Sequence, residues 1–136
     1  MEKYGLTFHH IGLAVAKPAA ASAFLKGIGY KIGDTVYDPQ QNVNLIMCEG
    51  AAMPDIEVIY PAGNGEPGPL DNMLPEIKTK GIFYHLCYET ADAAASIGAI
   101  QADGHKVFPL SELKPAVLFG GDSVGFYLVK GFGMIE

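Results

Sequence analysis

The chain has 136 residues, 49% hydrophobic and 18% charged, which is enough apolar material for a globular core. Its net charge is −6, and its nine basic residues are all lysine. An acidic chain without arginine lacks the planar fork that reads phosphates and base edges, so a nucleic-acid role is excluded. No apolar run approaches the ~18 residues that a membrane span needs.

The N-terminal stretch MEKYGLTFHH lacks the basic-then-apolar layout of a secretion signal. The two cysteines, Cys48 and Cys87, fall in strand-like runs and read as buried reduced thiols, so a cytoplasmic location is expected. Residues 6–15 alternate in polarity and carry β-formers, which predicts a strand. Residues 18–28 open with Pro18 and run through alanines to Gly29, the pattern of a helix with proline in its first turn and glycine just past its end. Strands follow at 30–37, 43–48 and 55–60, the first two separated by the turn Asp38-Pro39-Gln40-Gln41. Residues 63–80 are rich in proline and glycine and read as a linker with a helical turn or two. A strand at 82–90, a helix at 92–103 and a short strand at 105–108 come next. A hairpin over 116–129, turning about Gly120-Gly121-Asp122, and a last strand at 132–136 complete the chain.

Sliding the sequence along itself by 75 residues places Phe8 on Phe83, His10 on His85, Gly29 on Gly104 and Lys31 on Lys106, without a gap. That self-similarity predicts a duplicated βαβββ unit, with module one at 1–62, the linker at 63–80 and module two at 81–136. Neither unit buries both faces of a short sheet alone. Two copies side by side form one curved mixed sheet with helices outside and a cleft on the concave side, an α+β fold within a single domain.

Polar residues interrupt the apolar strands in a repeating order. His10 and Glu57 stand on the first and last strands of module one, and His85 and Glu136 hold the same places in module two. The His-to-Glu intervals are 47 and 51 residues. A carboxylate in a buried strand is costly unless it is neutralised, and no arginine exists to do it. Two imidazoles and two carboxylates facing one point would be satisfied by a divalent cation such as Co, Ni, Zn, Mn or Fe(II). His9 is the strand neighbour of His10 and is expected on the opposite face. His105 reads as exposed, and Glu89 lies near a strand end, outside the ligand set.

The segments HHIGLAV, IEVIYP, YHLCYE and GMIE resemble the four metal-ligand segments of the vicinal oxygen chelate superfamily, which includes glyoxalase I, methylmalonyl-CoA epimerase and the extradiol dioxygenases. The spacing and the stretch PAVLFGGDSVGFYLV are most similar to methylmalonyl-CoA epimerase and its relatives. The resemblance implies a divalent metal on His10, Glu57, His85 and Glu136, with Glu136 also accepting a substrate proton. It implies an isomerase or lyase that stabilises an enolate by chelating vicinal substrate oxygens, and a homodimer. The alternatives it leaves are a glyoxalase I-like lyase and a non-catalytic binding protein of the same fold. On the third strand, where epimerases carry a second acid/base glutamate, the alignment puts Asn44. An amide there can hydrogen-bond an oxyanion but cannot act as a base. An acyl thioester is one expected substrate; Lys78, Lys80 and Lys114 are the lysines available to the phosphates of coenzyme A.

Overall fold

A computed structural model describes residues 2–116, 118, 120 and 122–136. Module one contributes β1 (Thr7–Ala14), α1 (Ala19–Gly27), β2 (Lys31–Asp38), β3 (Val43–Glu49) and β4 (Asp55–Pro61). A single 3-10 turn (Asp71–Met73) runs into α2 (Leu74–Ile77). Module two follows with β5 (Ile82–Glu89), α3 (Ala93–Ala102), β6 (Val107–Pro109), β7 (Lys114–Pro115), β8 (Ser123–Val124), β9 (Tyr127–Val129) and β10 (Gly133–Ile135). Pro18 precedes α1, as its fixed φ favours. Asp92 caps α3 by accepting the Ala95 N–H at 3.0 Å.

Eight strands form one mixed sheet in the order β2-β3-β4-β1-β5-β10-β9-β6. Read outward from the centre, β1-β4-β3-β2 on one side matches β5-β10-β9-β6 on the other. The duplicated α+β architecture is therefore present, and the modules join where β1 pairs antiparallel with β5. That seam puts the two first strands, which carry His10 and His85, side by side at the middle of the sheet.

Strand alternation divides the core between the two faces. Leu13, Val15, Ile46, Cys48, Ile56 and Val58 pack with Leu25 of α1 and Tyr30 on the outer face. Ala14, Val43, Leu45 and Ile59 cluster on the other face with Leu70 and Ile77. The proline- and glycine-rich segment is thus more than a connector. Leu70 is 1% exposed and Ile77 4%, so this segment buries apolar side chains against Ala14, Val43, Leu45 and Ile59.

One expected element differs. In place of a hairpin over 116–129, Lys114–Pro115 pairs with Ser123–Val124 in a separate two-stranded ladder, while Tyr127–Val129 joins the main sheet beside β6 and β10. Pro115 has no N–H to extend a ladder, and the chain crosses between the two ladders at Gly125, which packs tightly against Leu113 and Tyr127. Gly121 of the expected turn lies outside the described residues. Among the described residues, no helix is long and apolar enough to cross a membrane.

Candidate metal centre

The β1–β5 seam brings His10 opposite Cys87 and Gly12 opposite His85. β4 lies parallel to β1 and pairs Glu57 with Gly12. On the far side of β5, Glu136 continues the β10 ladder, donating its N–H to the Leu86 carbonyl and accepting from Tyr88 N–H, each at 2.9 Å. Four strands, two from each module, therefore aim His10, Glu57, His85 and Glu136 at one volume. One ligand atom from each falls within 4.8 Å of all the others. His10 Nε2 is 3.3 Å from Glu136 Oε1 and 3.7 Å from Glu57 Oε1, and His85 Nε2 is 3.1 Å from Glu136 Oε1.

All four side chains are buried, the most exposed at 4%. Yet Glu136 Oε1 and His85 Nδ1 make no hydrogen bond of acceptable geometry among the described residues. His10 Nε2 and His85 Nε2 also lie 3.5 Å apart, so the four ligand atoms converge on one small volume, the arrangement expected of a ligand set. Two imidazoles with two carboxylates suit a divalent ion of intermediate hardness. The ring of His85 lies over Gly12, where an added Cβ would overlap its Cε1, Nδ1 and Nε2 atoms. The edges of the Tyr84 and Phe126 rings hold the same imidazole at centroid distances of 4.5 and 5.3 Å.

In the metal-free chain this cluster carries its own charge balance. Burial alone would lower the pKa of His10, but its contacts with Cys87, Glu136 and Glu57 outweigh burial and push the value up to about 12. Burial acts the other way on Glu136, where the two imidazoles prevail and hold the carboxyl down to about 2. Burial raises the Cys87 thiol to about 11, so it stays protonated near neutrality. His10 must give up a proton for its nitrogen to bind a cation. Zinc uptake at pH 8 is therefore expected to release protons, and apparent affinity to climb between pH 7 and 9. Calorimetric titration in two buffers of different ionisation enthalpy measures that release; the same heat in both buffers contradicts the His10 assignment.

Asn44 does not join this group. β3 and β4 pair Met47 with Glu57 and Asn44 with Tyr60, so alternation turns Asn44 to the face opposite Glu57. Beside Glu57, β3 presents Val43, Leu45 and Met47, none of which transfers a proton; Glu49, next on that side, is exposed at the end of the strand. Register, and not only residue type, sets Asn44 apart from the cluster. Lys78, Lys80 and Lys114 are exposed, as is His105.

Alternation failed in the other direction at His9. The β1–β5 register slips by one residue between Phe8 and His10, so His9 is the extra residue of a bulge. Its ring turns to His10, with the two Nδ1 atoms 2.8 Å apart, and its Nε2 lies 3.6 Å from Glu89 Oε1. A second slip makes Tyr84 the extra residue of β5. Tyr84 is the 75-residue counterpart of His9, so the repeat carries its bulge in both copies. The duplication was a signal for this pairing; the bulges were not written in residue type.

A cavity of about 860 Å³ borders the cluster. Glu136 lines it, together with His9 and Cys87, whereas His10, Glu57 and His85 do not. Its other polar groups include Glu89, Ser96 and Asp122, and no lysine is among the lining residues.

No curated protein matches the sequence. Among solved structures, methylmalonyl-CoA epimerase from Mycobacterium tuberculosis aligns with a TM-score of 0.70 at 14% identity, over 94% of this chain and 83% of the other. A hypothetical protein from Bacillus halodurans gives 0.74 at 19%, over 96% and 91%. A variant methylmalonyl-CoA epimerase from Streptomyces coelicolor, in complex with 2-nitronate-propionyl-CoA, gives 0.63 at 22%, over 90% and 87%. Identities this low establish a shared fold. The model of the glyoxalase/bleomycin resistance protein/dioxygenase superfamily matches residues 9–126, and the chain belongs to that family.

Proposed function

We propose that the chain is a metal-dependent isomerase or lyase that moves a proton next to two adjacent substrate oxygens, with His10, Glu57, His85 and Glu136 as the metal ligands. The observation that carries this reading is that Glu136 belongs to the four-residue cluster and alone among the four lines the cavity. When bound, a divalent ion would draw charge from the chelated oxygens and lower the cost of removing a neighbouring C–H proton. The rest falls to the chain. His10, His85 and Glu57 are sealed from solvent and keep water from the centre. Glu136 faces substrate and accepts the proton at its carboxylate. The reading treats 1–136 as one domain, because the cluster takes two residues from each module.

The cavity wall narrows the substrate. It presents Glu89, Asp122 and Glu136 and no lysine, so a neutral α-hydroxycarbonyl head is favoured over one that carries its own carboxylate. The β3 residues nearest Glu57 are apolar, so the third strand supplies no second base beside the cluster, which favours one-base proton shuttling at Glu136 over two-base epimerisation through β3. The same feature favours, as a second reading, a binding protein without turnover.

The test is wash-in of deuterium from heavy water at the substrate α-carbon, followed by NMR with zinc-, cobalt- or manganese-loaded protein. A panel of neutral α-hydroxycarbonyls, hemithioacetals and acyl-coenzyme A thioesters spans the candidate substrates. Metal-dependent exchange with the neutral compounds is expected. Tight binding without exchange across the whole panel selects the binding-protein reading instead.

A further inference from the structure

We infer that His9 is a positioning residue: its Nδ1 accepts a hydrogen bond from the Nδ1–H of His10 and so leaves His10 Nε2 bare toward Glu57, His85 and Glu136. The inference rests on the metal reading of that cluster and adds a residue that alternation would place on the other side of the sheet.

Three observations combine. The bulge between Phe8 and His10 puts both rings on the same side of β1. The Nδ1 atoms stand 2.8 Å apart, a separation that requires one proton between two nitrogens. His10 Nε2 is the nitrogen that faces both carboxylates, so it must keep its lone pair when a cation is bound, and the ring's remaining proton is on Nδ1. His9 is then the acceptor, and its own proton sits on Nε2, toward Glu89 Oε1 at 3.6 Å. A carboxylate behind His9 favours that tautomer. The resulting order is Glu89, His9, His10, then the cluster. It does for one ligand what carboxylates and carbonyls do for metal-bound histidines generally, which is to fix the ring's orientation and raise its basicity. Cys87 also touches His10, but a thiol sulfur is a weaker acceptor than an imidazole nitrogen.

His9, His10 and Cys87 also bring ligand atoms within 4.8 Å of one another. A soft ion bound there would take His10 Nδ1 and break the hydrogen bond, so the test must tell the two arrangements apart.

The experiment uses the full chain with ¹⁵N-labelled histidine, loaded with zinc. The expected result is a metal-shifted, unprotonated His10 Nε2 and a protonated Nδ1, with scalar coupling through the hydrogen bond to His9 Nδ1. In parallel, cobalt affinity is followed by visible absorption. His9→Phe is expected to weaken it by about 10- to 100-fold. His9→Asn, whose amide oxygen can accept from a similar place, is expected to recover part of the loss. A proton on His10 Nε2, equal cobalt affinity in His9→Phe, or thiolate-to-cobalt charge transfer from Cys87 would each overturn the inference while leaving a metal site in place. If His9→Phe fails to fold, the coupling in the unsubstituted chain decides. If that chain binds neither zinc nor cobalt, the metal reading itself fails and takes the inference with it.

Discussion

Replacing Glu136 with alanine is expected to have the largest effect of any single substitution, on stability and on function together. In the metal-free chain Glu136 Oε1 lies between two buried imidazoles, 3.1 Å from one and 3.3 Å from the other. Removing it leaves the His10 cation with Glu57 as its nearest carboxylate, at 3.7 Å, and breaking such a buried pair costs about 3 kcal/mol. The pH dependence gives the direction. Glu136 titrates at about 2 when folded against an ordinary 4.5, so its contribution is present above pH 4.5 and fades as the pH falls toward 2. His10 titrates at about 12 when folded against 6.5, so its contribution is full below pH 6.5 and fades as the pH rises toward 12. Chemical denaturation of metal-free protein across both ranges should show these two declines, with both blunted in Glu136→Ala. Cobalt affinity should fall by more than about 100-fold, beyond what loss of an outer-shell partner causes. Deuterium exchange should cease. A variant that keeps its metal and still exchanges would remove Glu136 from the chemistry.

Gly12→Ala is expected to come second, through shape alone. Gly12 faces Glu57 on one neighbouring strand and His85 on the other, and the His85 ring occupies the space a side chain would need. Cε1, Nδ1 and Nε2 of the ring all overlap an added Cβ, so no rotation of a flexible end relieves the clash. Tyr84 and Phe126 close off the obvious directions of retreat. Overpacking of this kind costs about 1–3 kcal/mol. More telling is where the strain goes: the imidazole must leave the cluster. Melting of the metal-free variant should drop modestly, while cobalt binding drops steeply and loses the spectrum of the wild-type coordination. Wild-type affinity and spectrum in Gly12→Ala would mean that His85 is not a ligand.

Strand and helix positions were legible because both depend on near neighbours. Alternation over 6–15, Pro18 before an alanine run, and the glycines past each helix identify elements that the fold contains, within a residue or two. The 75-residue repeat went further, since it implied that His10 and His85 occupy equivalent strands before any contact was known. Glu57 and Glu136, 79 residues apart, fall outside that exact frame; they stood out as carboxylates on the last strand of each module, where a buried charge without arginine calls for some other positive partner. Residues 114–129 were harder to read. A proline without an N–H and a glycine that lets the chain cross ladders break what composition suggests is one hairpin.

Periodicity and self-similarity are properties of the chain alone, and they suffice for the duplicated α+β architecture and the four polar interruptions of its strands. Which side chains share a face depends on how the strands pair in space. The register of β3 against β4 turned Asn44 away from Glu57, and one-residue slips between β1 and β5 turned His9 and Tyr84 toward the histidines that follow them. A side chain changes face with each residue along a strand, so a register error of one is the smallest possible and reverses every assignment after it. That register is fixed by packing across strands far apart in the chain, which no local pattern encodes.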